Sequence, residues 1–92
     1  MPITADQCRA ARGLLGWNQA RLARAAGVSR VTLSTFESGT RTPIPNNLRA
    51  IADCLLQAGV EFTPEQGTAG VGVRFRARDR VQQEPRKETS DA

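Results

Sequence analysis

The sequence has no histidine and only two cysteines, Cys8 and Cys54. Zinc fingers need more Cys or His ligands than these, and a Ser-His or Cys-His catalytic pair needs a histidine. Both kinds of site are therefore excluded, together with most hydrolases, and we expect no metal and no cofactor. The two cysteines are expected to be small core or half-buried residues rather than a redox pair.

We expect no signal sequence, and the printed residues contain no apolar run long enough to cross a bilayer. We therefore expect no membrane contact and a cytoplasmic protein of the bacterial or phage type, associated with the nucleoid when bound. Residues 77–92 form a charged tail that is too poor in large apolar residues to add to a core. The remaining part has little room for a deep catalytic pocket, so a binding protein is expected rather than an enzyme.

Positive charge is concentrated in the first part of the chain. Residues 1–60 contain seven arginines and three acidic residues, whereas residues 61–92 contain six basic and six acidic residues. A basic face on a small helical domain is typical of a protein that binds a polyanion, although surface arginines are common elsewhere.

Four segments have apolar residues at helical spacing. The first segment begins at Thr4, which forms a capping-box pattern with Gln7, and it ends at Leu15 before Gly16. The second segment follows Asn18, a good N-cap residue, and runs to Ala26.

The third predicted helix follows Ser29 as its N-cap and stops at Ser38 and Gly39. Pro45 suits the first turn of the fourth helix, and Gly59 closes that helix. The boundaries of all four helices are thus predicted by caps, glycines and proline.

After the fourth helix the period of the apolar residues changes to two, over residues 60–62 and again over residues 71–75. Two short strands are predicted, and the Pro- and Gly-containing segment between them favours an antiparallel hairpin. The expected fold is mainly α: a four-helix domain at residues 1–59, a short hairpin or strand pair at residues 60–76, and the charged tail.

Residues 18–39 have the pattern of a helix-turn-helix. Ala23 is the small residue that faces the crossing helix, and Gly27 makes the left-handed turn. Leu33 and Phe36 anchor the second helix of the motif.

Over roughly residues 8–56, this order and spacing resembles the Cro and phage-repressor family, often called Xre. The resemblance implies a DNA-binding transcriptional regulator whose recognition helix, residues 29–38, lies in the major groove. The chain departs from the five-helix repressor domain where its strands begin. There it is similar to shorter Xre-like regulators.

The resemblance places base contacts at the start of the recognition helix and one turn later. Since Leu33 and Phe36 point inward, the outward-facing candidates are Arg30, Val31, Ser34 and Thr35. Arg30 can pair with guanine O6 and N7, and a thymine methyl group would explain an outward valine. The alternative is that this face is only solvated.

Contacts to DNA phosphates are expected around the amino end of the second helix, where free N–H groups and the helix dipole favour an anion. Asn18, Gln19 and Arg21 lie at that end, and the resemblance also implies a phosphate contact for Gln19. It implies another for Arg41, in the loop after the recognition helix, and Ser29 is a further candidate. Arg21 stands where many relatives have an acidic residue, which adds positive charge near the DNA.

Glu37 lies in the last turn of the recognition helix, where a negative charge meets the wrong end of the helix dipole. In phage repressors the matching residues form an ion pair, so the resemblance implies a structural pair between Arg12 and Glu37. The alternative is two exposed surface charges.

The expected function is a sequence-specific regulator, with repression as the expected effect, that binds double-stranded DNA as a homodimer. An antitoxin that represses its own operon is a variant of this interpretation. The alternative is a protein-interaction module or transcription cofactor that keeps the fold as a scaffold and binds a protein partner through its C-terminal segment.

The dimer is expected to form through the strands, by Val71, Val73 and Phe75. A two-stranded hairpin is marginal in water, and four helices of this size are not expected to cover its apolar face fully. The alternative is an intramolecular hairpin that lies on the fourth helix.

Overall fold

The computed structural model describes residues 3–76, which form four helices followed by a two-stranded antiparallel sheet. The elements are α1 (Ala5–Leu15), α2 (Gln19–Ala26), α3 (Arg30–Glu37), α4 (Pro45–Ala58), β1 (Val60–Thr63) and β2 (Gly72–Phe75). This mainly helical architecture with a terminal strand pair is the predicted one. The charged tail expected at residues 77–92 lies outside the described residues.

The first three helices begin at the predicted capping residues. The Thr4 hydroxyl accepts a hydrogen bond from the Gln7 backbone N–H at 3.0 Å, and the Gln7 side chain accepts one from the Thr4 N–H, which completes a capping box. Asn18 and Ser29 each accept a hydrogen bond from the backbone N–H three residues later. These bonds satisfy N–H groups that have no partner inside the helix.

The core lies where the four helices meet the inner face of the strands. Its buried apolar side chains are Ile3, Cys8, Ala11, Leu15, Leu22, Ala23, Leu33, Phe36, Ile51, Ala52, Leu55, Val60 and Phe62. Cys54 is half-buried, so both cysteines have the environments predicted for them. None of the helices within residues 3–76 is long and apolar enough to span a membrane.

The strands pair within one chain, as a hairpin in which Val60 lies opposite Phe75 and Phe62 opposite Val73. The helices cover part of this apolar face, because α1 packs against β2 while α4 packs against β1. Val60 and Phe62 are buried, and Val73 and Phe75 are half-buried against the same core. The helices therefore cover Val60 and Phe62 and leave Val73 and Phe75 partly exposed.

A buried glutamine joins the hairpin to α1. The Gln7 Nε2 donates to the Gly72 carbonyl oxygen at 2.8 Å and lies 3.5 Å from the Thr63 carbonyl oxygen. A Cβ atom on Gly72 would lie only 2.8 Å from Thr63 Oγ1, so glycine permits the close approach of the two strands.

Of the predicted dimerisation residues, Val71 is the one with a large exposed fraction, 44%.

Candidate nucleic-acid interface

The turn between α2 and α3 orients the second helix of the motif. Gly27 has a φ of 74°, in the left-handed region that favours glycine, and the Val28 N–H donates to the Ala23 carbonyl oxygen at 3.0 Å. Leu33 and Phe36 are buried on the inner side of α3. The opposite side of α3 is consequently held toward solvent.

The four predicted base-contacting residues share that outer side of α3. Arg30 is exposed, Val31 is 71% exposed, and Ser34 and Thr35 are half-buried. The Thr35 hydroxyl donates within its own helix, with the Val31 carbonyl oxygen 2.9 Å away. In this arrangement Thr35 offers a neighbouring base its methyl group or an acceptor lone pair, whereas Arg30 offers a planar set of donors.

A cleft of about 530 Å³ separates α3 from the loop that leads to α4. Its lining residues are Val31, Thr32, Thr35, Thr40, Arg41, Thr42, Pro43, Ile44 and Asn47. Ile44 is 64% exposed and occupies the N-cap position of α4 without a side-chain cap. Arg41 was the one residue of this loop predicted to contact DNA. Ile44 was missed, although an apolar residue at an N-cap position, where Ser, Thr, Asp and Asn are preferred, could have indicated it.

The predicted phosphate-contacting residues at the starts of α2 and α3 differ in which side-chain hydrogen-bond donors remain available. Asn18 uses its side-chain oxygen for the cap, which keeps its amide nitrogen available. Gln19 already donates one amide hydrogen to Glu37 at 2.9 Å. The Ser29 hydroxyl donates to Thr32 Oγ1 at 2.8 Å, so it has to rotate before it can donate to a phosphate.

The two arginines predicted to contact phosphates are both exposed. Arg41 lies in the loop after α3 and lines the cleft. Arg21 lies in the first turn of α2, with its guanidinium carbon 4.6 Å from the centroid of the Trp17 ring.

Glu37, at the end of α3, is a buried carboxylate with only 2% of its surface exposed. Arg12 Nη2 donates to one of its oxygens at 2.7 Å, and Arg12 Nε donates to the other at 2.8 Å. Gln19 and the Cys8 thiol, the latter at 3.1 Å, complete the set of donors. The structure thus brings the predicted partners Arg12 and Glu37 together, and it adds Gln19 and Cys8.

The charges of this cluster stabilise one another. Burial by itself would raise the pKa of Glu37, but hydrogen bonds from Arg12, Gln19 and Cys8 hold that pKa below its ordinary value. The hydrogen bond to Glu37 raises the pKa of Arg12. Burial, and then the hydrogen bond to Glu37, raises the pKa of the Cys8 thiol, which favours its protonated form.

The cluster around Glu37 fixes the orientation of α3 relative to α1 and α2. It ties the end of α3 to α1 through Arg12 and to the start of α2 through Gln19. Arg12 Nη1 also donates to the Trp17 carbonyl oxygen at 3.1 Å, and Arg9 donates to the Glu37 carbonyl oxygen. A recognition surface gains precision when such buried bonds fix the elements that carry it.

Within residues 3–76 there is no group of three or more Cys, Asp or Glu side chains that could hold a metal ion. The chemistry that this surface offers is hydrogen bonding, apolar contact and positive charge. That combination suits the edges of bases and the phosphates of a duplex.

Residues 9–55 match the protein family described as Helix-turn-helix. The matched segment spans more than half of the 92 residues and includes α2, α3 and the turn between them. No curated protein matches the chain.

Proposed function

The chain belongs to the helix-turn-helix family of the Cro and C1 type and is a DNA-binding regulator of that kind, and on this premise we propose that it is a sequence-specific transcriptional repressor. The observation that carries the proposal is the outer side of α3, where Arg30 and Val31 are exposed. The buried side of the same helix is fixed by the ion pair of Glu37 with Arg12. In this proposal α3 lies in the major groove of an operator.

Two sets of residues have different roles in this proposal. The base-reading set gives sequence preference and comprises Arg30, Val31, Ser34 and Thr35. The positioning set binds phosphates of any sequence and comprises Asn18, Gln19, Arg21, Ser29 and Arg41. The first set discriminates between base pairs, and the second supplies salt-dependent affinity.

The repressor in this proposal is a homodimer on a two-fold symmetric operator, because one eight-residue helix reads only a few base pairs. The contact between protomers involves the β2 region, with Val71 at its centre and Val73 and Phe75 beside it. The exposure of Val71 and the short two-stranded sheet support this choice. The protein acts in the cytoplasm without catalytic activity, and an antitoxin that represses its own operon is included in this proposal.

Binding to random duplex DNA, followed by selection of the bound sites, tests the proposal. The expected result is binding that weakens steeply as salt rises, and an enriched half-site repeated about one helical turn away, roughly 10 base pairs. A protein that fails to bind duplex DNA even at low salt would be an adaptor with a protein partner. A protein that binds but enriches no sequence would not be a sequence-specific repressor.

A further inference from the structure

Arg21 occupies an electrostatically unfavourable position that its own helix does not explain. It lies in the first turn of α2, which contains no acidic residue, and there a cation faces the positive end of the helix dipole. The ion pairs found within residues 3–76 are Arg9–Asp6, Arg12–Glu37 and Arg74–Glu61, so no carboxylate of that part neutralises Arg21.

The contact that Arg21 does make is with the face of an aromatic ring. Its guanidinium carbon lies 4.6 Å from the centroid of Trp17, which is half-buried and directly precedes the N-cap of α2. A guanidinium group that lies over an aromatic ring can still use the N–H groups at its edge for hydrogen bonds. This is the edge that binds a phosphate through two parallel hydrogen bonds.

Both members of this stack are fixed at the backbone. Arg12 Nη1 donates to the Trp17 carbonyl oxygen at 3.1 Å. The Asn18 side chain accepts a hydrogen bond from the Arg21 backbone N–H at 2.8 Å. Arg12 is itself held by buried Glu37, so the stack is attached to the same cluster that orients α3.

We propose that Trp17 is a positioning residue that holds the Arg21 guanidinium, by stacking, as a clamp for one DNA phosphate at the start of α2. This inference rests on the proposed function and adds a residue to it. Gln19, another predicted phosphate contact, lies in the same first turn of α2. A preorganised guanidinium loses less side-chain entropy when it binds than a freely rotating one does.

A double-mutant cycle on duplex binding tests this pair. Arg21→Gln removes the charge, and Trp17→Leu keeps an apolar side chain but removes the aromatic face. Loss of one phosphate contact lowers the salt slope by about 0.9, so the affinity deficit of Arg21→Gln should shrink about 3.5-fold between about 50 and about 200 mM salt. Trp17→Leu should weaken binding about 2- to 10-fold, which corresponds to the cost of ordering one additional side chain when it binds.

The decisive comparison is between the effect of Trp17→Leu in the wild-type protein and its effect in the Arg21→Gln variant. Trp17→Leu should have no effect on affinity when Arg21→Gln is already present, whereas Trp17→Phe, which keeps a ring face, should bind nearly as wild type. The inference is overturned if Trp17→Leu weakens binding equally in both backgrounds, or if Arg21→Gln leaves the salt slope unchanged.

Two further measurements test the Trp17–Arg21 contact separately from the proposed function. Trp17 is the one tryptophan of the chain, so a shift of its fluorescence emission in free Arg21→Gln reports the stack without DNA. An emission identical to wild type contradicts the inference even if a variant binds poorly. If wild-type protein fails to bind duplex DNA at about 50 mM salt, the proposed function itself fails, and the wild-type measurement alone shows this.

Discussion

Arg12→Ala is expected to destabilise the protein strongly, because it leaves the Glu37 carboxylate buried without its cation. Breaking a buried ion pair by removing one partner costs about 3–5 kcal/mol. The Arg12 side chain is 19% exposed, and Gln19 and Cys8 still donate to Glu37 in the variant. The lower end of the range, about 3 kcal/mol, is therefore the expected loss.

This loss is a large part of the total stability. A folded unit of roughly 75 residues is stable by about 4–11 kcal/mol. At about 4–8 °C per kcal/mol for a small domain, the midpoint of thermal unfolding should fall by about 12–24 °C. Circular dichroism at 222 nm, followed through a thermal scan at neutral pH, measures this midpoint.

Two variants make the measurement specific. Arg24→Ala removes an exposed arginine of α2 and should change stability by less than about 0.5 kcal/mol. Arg12→Lys keeps the charge but loses the two-pronged geometry, so its midpoint should fall between those of Arg12→Ala and wild type. An Arg12→Ala midpoint equal to that of Arg24→Ala would refute the reasoning, and a simultaneous loss of site preference would place Arg12 at the DNA.

Three further predictions concern pH, phosphate contact and assembly. Because the pKa of Glu37 is lowered by folding, its contribution to stability is present above the unfolded pKa of about 4.3 and is lost as pH falls through the folded pKa. Glu37→Gln should therefore be less stable than wild type at pH 7 but lose less between pH 5 and pH 3 in urea titrations; parallel losses would contradict this. Gln19→Ala should weaken all duplex sequences alike in affinity titrations, and a changed base preference would show that Gln19 reads bases. Val71→Lys should sediment as a monomer at micromolar concentration, and an intact dimer would exclude the β2 region as the interface.

The local features of the fold could be predicted from the sequence because they depend on residues close together in the chain. The capping bonds of Asn18 and Ser29 span three residues, and the left-handed turn at Gly27 needs only that glycine. The change of apolar period from helical to two-residue spacing similarly marked both strands.

The long-range contacts could not be predicted in the same way. Gln7 bonds to Gly72, 65 residues away, only because α1 packs against β2, and in the sequence Gln7 is just a capping residue. Cys8 has the pattern of a small core residue, yet its thiol donates to Glu37 across 29 positions. Such bonds depend on which elements pack together, which a local pattern does not specify.

The central claim is that the outer side of α3 reads bases, and Arg30→Ala tests it most directly. Affinities of wild type and Arg30→Ala should be measured for the selected operator and for a panel in which each base pair of a half-site is replaced. The account predicts that Arg30→Ala loses about 1–3 kcal/mol on the operator and no longer distinguishes the bases at one position of the half-site. An Arg30→Ala variant with the wild-type order of preference at every position would contradict the claim.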